Sequence, residues 1–190
     1  LRVISGLGDA YVGAHNIAIR IESMSFLPGF AIGMAGATLV GQYLGTGSVR
    51  MALSTIRKCV LYSVVFMSLM GVAFFACPWL FVEIFASNSE GLMRATVPVV
   101  KVFLLVEPFY AAMLMIKMCL RGAGDTRRVM YVSYGCMGFF RVGCLFLWTV
   151  LWPETLSLVG IWLLFTIDLA VEYVILNRML IGLKWARRRV

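Results

Sequence analysis

FLLVEPFY, residues 103–110, sits inside an apolar run that extends from about 92 to 121. Glu107 is the only charge in the octapeptide, and Pro108 follows it at once. A carboxylate beside a helix-breaking residue, with apolar neighbours on both sides, is costly. The surroundings have to explain it.

The remainder of the chain supplies the setting. Of 190 residues, 62% are hydrophobic and only 14% are charged. A soluble domain has about 45–50% apolar residues, and so few charges cannot cover a water-facing surface. The composition is that of an integral membrane protein. Five apolar runs are each long enough to cross about 30 Å of hydrocarbon as a helix. They lie near 14–43, 51–86, 92–121, 128–151 and 156–182. Residues 1–12 read as the tail of an earlier helix plus a turn. The chain starts at Leu1, without a signal-peptide pattern. It is therefore expected to be part of a longer protein.

The links GTGS (45–48), SNSEG (87–91), GAGDT (122–126) and WPET (152–155) carry turn chemistry. Links this short make consecutive helices antiparallel neighbours. The expected fold is an all-α membrane protein. It is a bundle of about five complete transmembrane helices plus the tail of a sixth, read as one membrane unit over residues 1–190.

The net charge of +8 raises nucleic acid as a partner. The distribution argues against it, because the basic residues form short clusters between apolar runs and no basic stripe with exposed aromatics occurs. Arg50, Arg57 and Lys58 flank the first link. Arg121, Arg127 and Arg128 flank the third, and Arg178, Lys184, Arg187, Arg188 and Arg189 close the chain. The opposite ends hold Arg2 and Arg94 with Asp9, Glu83, Glu90 and Glu154. The positive-inside rule then places the C-terminus in the cytoplasm of a multi-pass protein of the cell membrane. Cys59, Cys77, Cys119, Cys136 and Cys144 form no C-x-x-C pair and read as small packing residues. His15 is the only histidine, so a His-rich zinc site has no material.

Glu107, Arg141 and Asp168 fall near the middles of the third, fourth and fifth spans, at one depth. Each costs a few kcal/mol or more facing lipid, so all three should point inward. Arg141 can pair with Asp168 or with Glu107. One arginine cannot fully neutralise two carboxylates, and the leftover acid is a candidate proton or cation site. Glu172, one turn from Asp168, can join the group. Lys117 is expected to snorkel to the cytoplasmic surface, and Lys101 to snorkel outward or line a cavity. Arg20 and Glu22 are two residues apart and do not face each other on a helix. One of them needs another partner or lines a polar pathway, which makes Glu22 a further candidate.

The first span contains FLPGFAIGMAGATLVG (26–41). Pro28 breaks a backbone bond, while Gly29, Gly33 and Gly36 leave surfaces for close approach. Tight packing and a bend beside a central cavity both follow from this pattern. Pro98 and Pro108 make the third span another candidate for bending. Carbonyls freed near Pro108 lie next to Glu107, where a cation can bind. Enzyme chemistry finds no support. GLGD (6–9) and GAGD (122–125) are Gly-rich turns rather than intramembrane protease motifs, and neither HExxH nor GxSxG occurs.

GAHNIAIRIESMSFLPGFAIGMAGATLVGQYLGTG (13–47) resembles the second-half signature of multidrug and toxic compound extrusion (MATE) transporters. LRGAGDTR (120–127), FFRVGCLF (139–146) and GIWLLFTIDLAVEYVILNRMLIGLKW (160–185) resemble the later segments of the same family, in its order and spacing. The resemblance implies one lobe of a two-lobe transporter, here the carboxyl-terminal lobe, truncated in its first helix and lacking the amino-terminal lobe. Such a transporter exports drugs or organic cations across the bilayer in exchange for protons or sodium, and has no other cofactor. Glu107, Asp168 and Glu22 become the candidates for cation or proton coupling, with any sodium site near Glu107. Tyr110, Arg141, Pro28 and Pro108 become the candidates for the substrate cavity. There is one departure. Several family members carry an acid ten residues before the Leu of Leu-Arg-Gly, where this chain has Tyr110. Glu107 lies three residues earlier on nearly the same face and is the candidate substitute. Tyr110 is suited instead to stacking on an organic cation. An alternative of similar fold is a flippase for lipid-linked oligosaccharides or a related lipid exporter. It needs a cationic cavity for a pyrophosphate, for which Arg20, Lys101 and Arg141 are the candidates.

Overall fold

A computed structural model describes residues 9–86, 90–183 and 185. Every regular element among them is helical. Helix α1 runs Asp9–Gly45, α2 Val49–Ala76, α3 Pro78–Ala86 and α4 Glu90–Gly122. Helix α5, Thr126–Cys136, passes through π-helical turns at Met137–Cys144 into α6, Leu145–Leu151. A single 3-10 turn, Pro153–Thr155, leads to α7, Leu158–Ile181. Five helical stretches are long and apolar enough to span a membrane: α1, α2, α4, the continuous α5–α6 stretch, and α7.

Helix α4 is the axis of the bundle. In its most apolar window 67% of residues are buried within the protein, against 6% in the α5–α6 span. Helices α1, α2 and α7 pack around it. Val99, Val100, Phe103, Ala112, Ile116 and Leu120 of α4 are all buried, and at 100° per residue they lie on every side of the helix. A membrane helix wrapped by others has no reason to keep a polar face.

The glycines of α1 set how closely the helices approach. A methyl group at Gly29 would lie 2.8 Å from Met67 Sδ of α2, and one at Gly36 2.8 Å from Cys59 Sγ. Gly33 lies against Met115 and Met118 of α4. These three positions are packing surfaces. Gly122, the last residue of α4, lies against the backbone of Ala37. Two other glycines answer to backbone conformation. Gly47 and Gly124 hold φ of +77° and +82° in the first and third links, where a side chain would be strained.

Three expectations change. Asp9–Val12 were expected in a turn, yet they begin α1. Gly13 is tolerated because one glycine costs a helix only about 1 kcal/mol, and Ala14, Ile17 and Ala18 immediately beyond it are buried. Residues 1–8, with most of GLGD, lie outside the described residues, as do Ser87–Ser89 of the second link and Lys184, Arg187, Arg188 and Arg189. The second span, expected over 51–86, breaks at Cys77, whose φ and ψ are −127° and 53°. Pro78 favours this break, since its ring disfavours the α conformation in the preceding residue, although α1 continues through Pro28 and α4 through Pro98 and Pro108. The fourth span is not uniformly α-helical: its π-helical turns centre on Arg141. Turns of this kind often mark functional positions.

Candidate functional site

Two polar groups cross the middle of the bundle, and they are separate. The first is built on Glu107. Its residue is fully buried, and Ser25 of α1 donates its hydroxyl to Oε1 at 2.5 Å. Room for the carboxyl comes from Gly71 of α2, where a Cβ would lie 3.3 Å from the Glu107 side chain. Among the described residues Oε2 has no hydrogen-bond partner. Among the described residues no cation lies within ion-pair distance of Glu107. The side-chain oxygens here are the carboxyl and one hydroxyl. Pro108 adds the Leu104 carbonyl, which loses its N–H partner four residues on.

The second group is built on Asp168. Arg141 Nε donates to Asp168 Oδ2 at 2.8 Å, so Asp168, not Glu107, is the acid that the arginine serves. The Asp168 side chain is 3% exposed, while that of Arg141 is 40% exposed. The guanidinium carbon also lies 5.1 Å from the centre of the Phe165 ring, a cation–π contact. Asp168 Oδ1 is buried without a hydrogen-bond partner among the described residues.

Arg141 opens onto a cavity of about 330 Å³. Its walls come from His15, Ile19 and Glu22 of α1, Val106 and Tyr110 of α4, Arg141, and Trp162, Phe165 and Leu169 of α7. Tyr110 is held by stacking on Phe26, with centroids 5.6 Å apart and planes 12° apart. His15 and Trp162 have ring centroids 5.7 Å apart. Glu22 makes no ion pair among the described residues. The cavity thus presents one unpaired carboxylate, one paired guanidinium and several aromatic faces.

Of the residues singled out from sequence, Glu22, Tyr110 and Arg141 share this cavity. Asp168 lies behind Arg141, and Glu107 is sealed between helices beside it. Pro28 is exposed and Pro108 half-buried, and neither is among the cavity residues. Arg20 and Lys101 are exposed and also not among them. Lys117 does not snorkel. Its Nζ lies 2.7 Å from Glu172 Oε1, and Ser133 donates to the same oxygen at 2.6 Å. Glu172 therefore joins a different group from Asp168. A buried acid attracts the lysine inward more strongly than the headgroup region attracts it outward.

Sequence reasoning missed Ser25, Gly71, His15, Trp162 and Phe165. Ser25 carried a signal, since it lies three residues from Glu22, on the same side of an apolar helix. The aromatic residues carried none, because aromatic residues abound in every span.

Comparison with known proteins agrees with this architecture. The MatE family model matches residues 1–147. "Probable multidrug resistance protein NorM" of Thermotoga maritima is 30% identical over 182 residues, 96% of this chain and 38% of that protein. The protein of the same name from Burkholderia mallei is 28% identical over 144 residues, 72% of this chain and 30% of its own length. That of Pasteurella multocida is 26% identical over 182 residues, covering 92% and 38%. The chain thus spans less than two fifths of the length of these relatives. With a match over most of its length and five helices able to span a membrane, the chain belongs to the MatE family of multi-pass membrane transporters.

Proposed function

We propose that this chain is the carboxyl-terminal lobe of a secondary transporter that exports drugs or organic cations in exchange for protons, with its C-terminus in the cytoplasm. The observation that carries this reading is the cavity in which Glu22 faces Tyr110, Trp162 and Phe165. A carboxylate among aromatic faces suits an organic cation. The relatives' names, which speak of multidrug resistance, point the same way. One lobe forms one wall of an alternating-access pathway, so transport belongs to the whole protein.

Glu107 is the proposed coupling acid. A proton needs only one oxygen, and the neutral acid tolerates a buried site with a single hydroxyl partner. Sodium needs several oxygens, and the carboxyl, Ser25 and one freed carbonyl make a sparse shell. The lipid-linked oligosaccharide flippase is the weaker reading. Arg20 and Lys101 are not among the cavity residues, and Asp168 neutralises Arg141, which leaves no cluster of cations in the cavity for a pyrophosphate among the described residues.

The test is transport by the full-length protein in proteoliposomes. Ethidium movement should follow an imposed pH gradient without sodium, and Glu22→Gln should reduce it at least tenfold. Ethidium movement driven only by a sodium gradient would replace the proton with sodium. No ethidium movement, with transfer of a pyrophosphate-linked lipid, would favour the flippase.

A further inference from the structure

We propose that the furrow between α2 and α7 is a binding site for an anionic phospholipid, whose acyl chain lies along the furrow and whose phosphate sits on Arg57. The proposal goes beyond the transport reading and does not depend on it.

The furrow follows from how three helices pack. Helices α2 and α7 both rest on α4, and the space left between them is a cavity of about 540 Å³. Buried Ile56 of α2, Ile116 of α4 and Leu180 of α7 line it. Leu61, Ile181 and Leu183 also line it and are 58%, 70% and 41% exposed, so the furrow opens on the surface of the bundle. Its length suits one lipid leaflet. On α2 the lining runs from Leu53 to Val64, which at 1.5 Å per residue is about 16 Å. One leaflet is half of a hydrocarbon core of about 30 Å. A transmembrane helix lying on this face needs a furrow about twice as long. A single acyl chain does not.

Charge selects the headgroup. Arg57 is exposed, and it is the only charged residue among the described residues that line the furrow. It makes no ion pair among the described residues, and neither do the exposed cations Arg50, Lys58 and Arg178 at the same end of the bundle. The acids toward this end are already taken, Asp125 by Arg128 and Glu172 by Lys117. Asn177 of α7 lines the furrow as well and brings amide donors. Arg57-Lys58 and Asn177-Arg178 are where the long apolar runs of α2 and α7 give way to polar residues, which is headgroup depth. Val60, Val64 and Tyr173 continue the lining toward the bilayer centre. A guanidinium binds phosphate oxygens through paired hydrogen bonds. Basic pockets between membrane helices near the headgroup level select anionic lipids in this way.

The experiment is lipid binding to the delipidated full-length protein in detergent, counted by native mass spectrometry. Dioleoyl phosphatidylglycerol should bind about fivefold tighter than dioleoyl phosphatidylcholine, the factor expected for one basic residue at headgroup depth. Equal affinities would overturn the proposal, as they would if the remainder of the full-length protein covered the furrow. Arg57→Gln should lose the preference and keep the wild-type unfolding midpoint without lipid. Lys58→Gln, a neighbouring cation that does not line the furrow, should keep the preference. An equal loss in both variants would overturn the proposal in favour of a diffuse surface field. Leu61→Trp, at an exposed wall position, should weaken both lipids at least fivefold. Unchanged binding there would overturn the proposal even if Arg57→Gln did not fold. Glycerol 3-phosphate at ten times the lipid concentration should not displace phosphatidylglycerol. Displacement would mean a site for free phosphate esters and would also overturn it.

Discussion

Ser25 Oγ and Glu107 Oε1 are 2.5 Å apart across the α1–α4 contact, between residues 82 positions apart in the chain. This bond is the local support of an acid that no cation among the described residues neutralises. Ser25→Ala leaves a buried acceptor unsatisfied, which costs about 1–3 kcal/mol. Thermal unfolding of the purified full-length protein should register that loss, and an unchanged midpoint would mean that the carboxyl finds another donor.

Glu107→Gln keeps the oxygen that accepts from Ser25 and removes the titratable group. The variant should fold with a wild-type unfolding midpoint, yet lose proton-driven ethidium efflux in vesicles of the full-length protein. Glu107→Asp should retain some activity. Wild-type efflux by the Gln variant across a range of pH would make the carboxyl a structural element of the α1–α4 contact.

The Arg141–Asp168 pair should show coupling in a double-mutant cycle. Breaking a fully buried pair costs about 3–5 kcal/mol. Because the Arg141 side chain is 40% exposed, the loss in Arg141→Leu is expected at the low end of that range or below it. Adding Asp168→Asn should recover part of the folded yield. Strictly additive losses would contradict the observed contact.

Gly122→Ala tests the closest helix crossing. Its methyl group would meet the backbone of Ala37, which cannot move aside as a flexible side chain can. Overpacking of this kind typically costs about 1–3 kcal/mol, and folded yield should drop. Gly45→Ala, with open space around it, should be silent. Equal yields would mean that α1 and α4 shift apart at no cost.

Topology is tested by single cysteines at Thr46 and Glu90 in a full-length variant without other cysteines. An impermeant maleimide should label Glu90→Cys from outside intact cells and label Thr46→Cys only after permeabilisation. Labelling of both from outside would refute the topology drawn from the basic clusters.

The amino-acid sequence determined the class and the number of spans, for physical reasons that act locally. Hydrocarbon excludes unpaired backbone groups, so each apolar run of sufficient length becomes a helix, and the five runs reappear as five spans. GTGS and GAGDT became turns because Gly47 and Gly124 take positive φ. The break at Cys77 precedes Pro78, but Pro28, Pro98 and Pro108 lie inside unbroken helices, so a proline in the sequence did not by itself mark a break. Partner choice was not written there. Glu107, Asp168 and Glu172 are alike in sequence context, each an acid in an apolar helix. Only the packing of α1 against α4 gave the first a serine, the π-helical turns gave the second an arginine, and the approach of α4 and α5 to α7 gave the third Lys117 and Ser133. An ion pair or a buried hydrogen bond depends on distances of a few ångströms between residues far apart in the chain. Those distances are set by how glycines, methionines and aromatic rings fit together across helices, which no periodicity within one helix encodes.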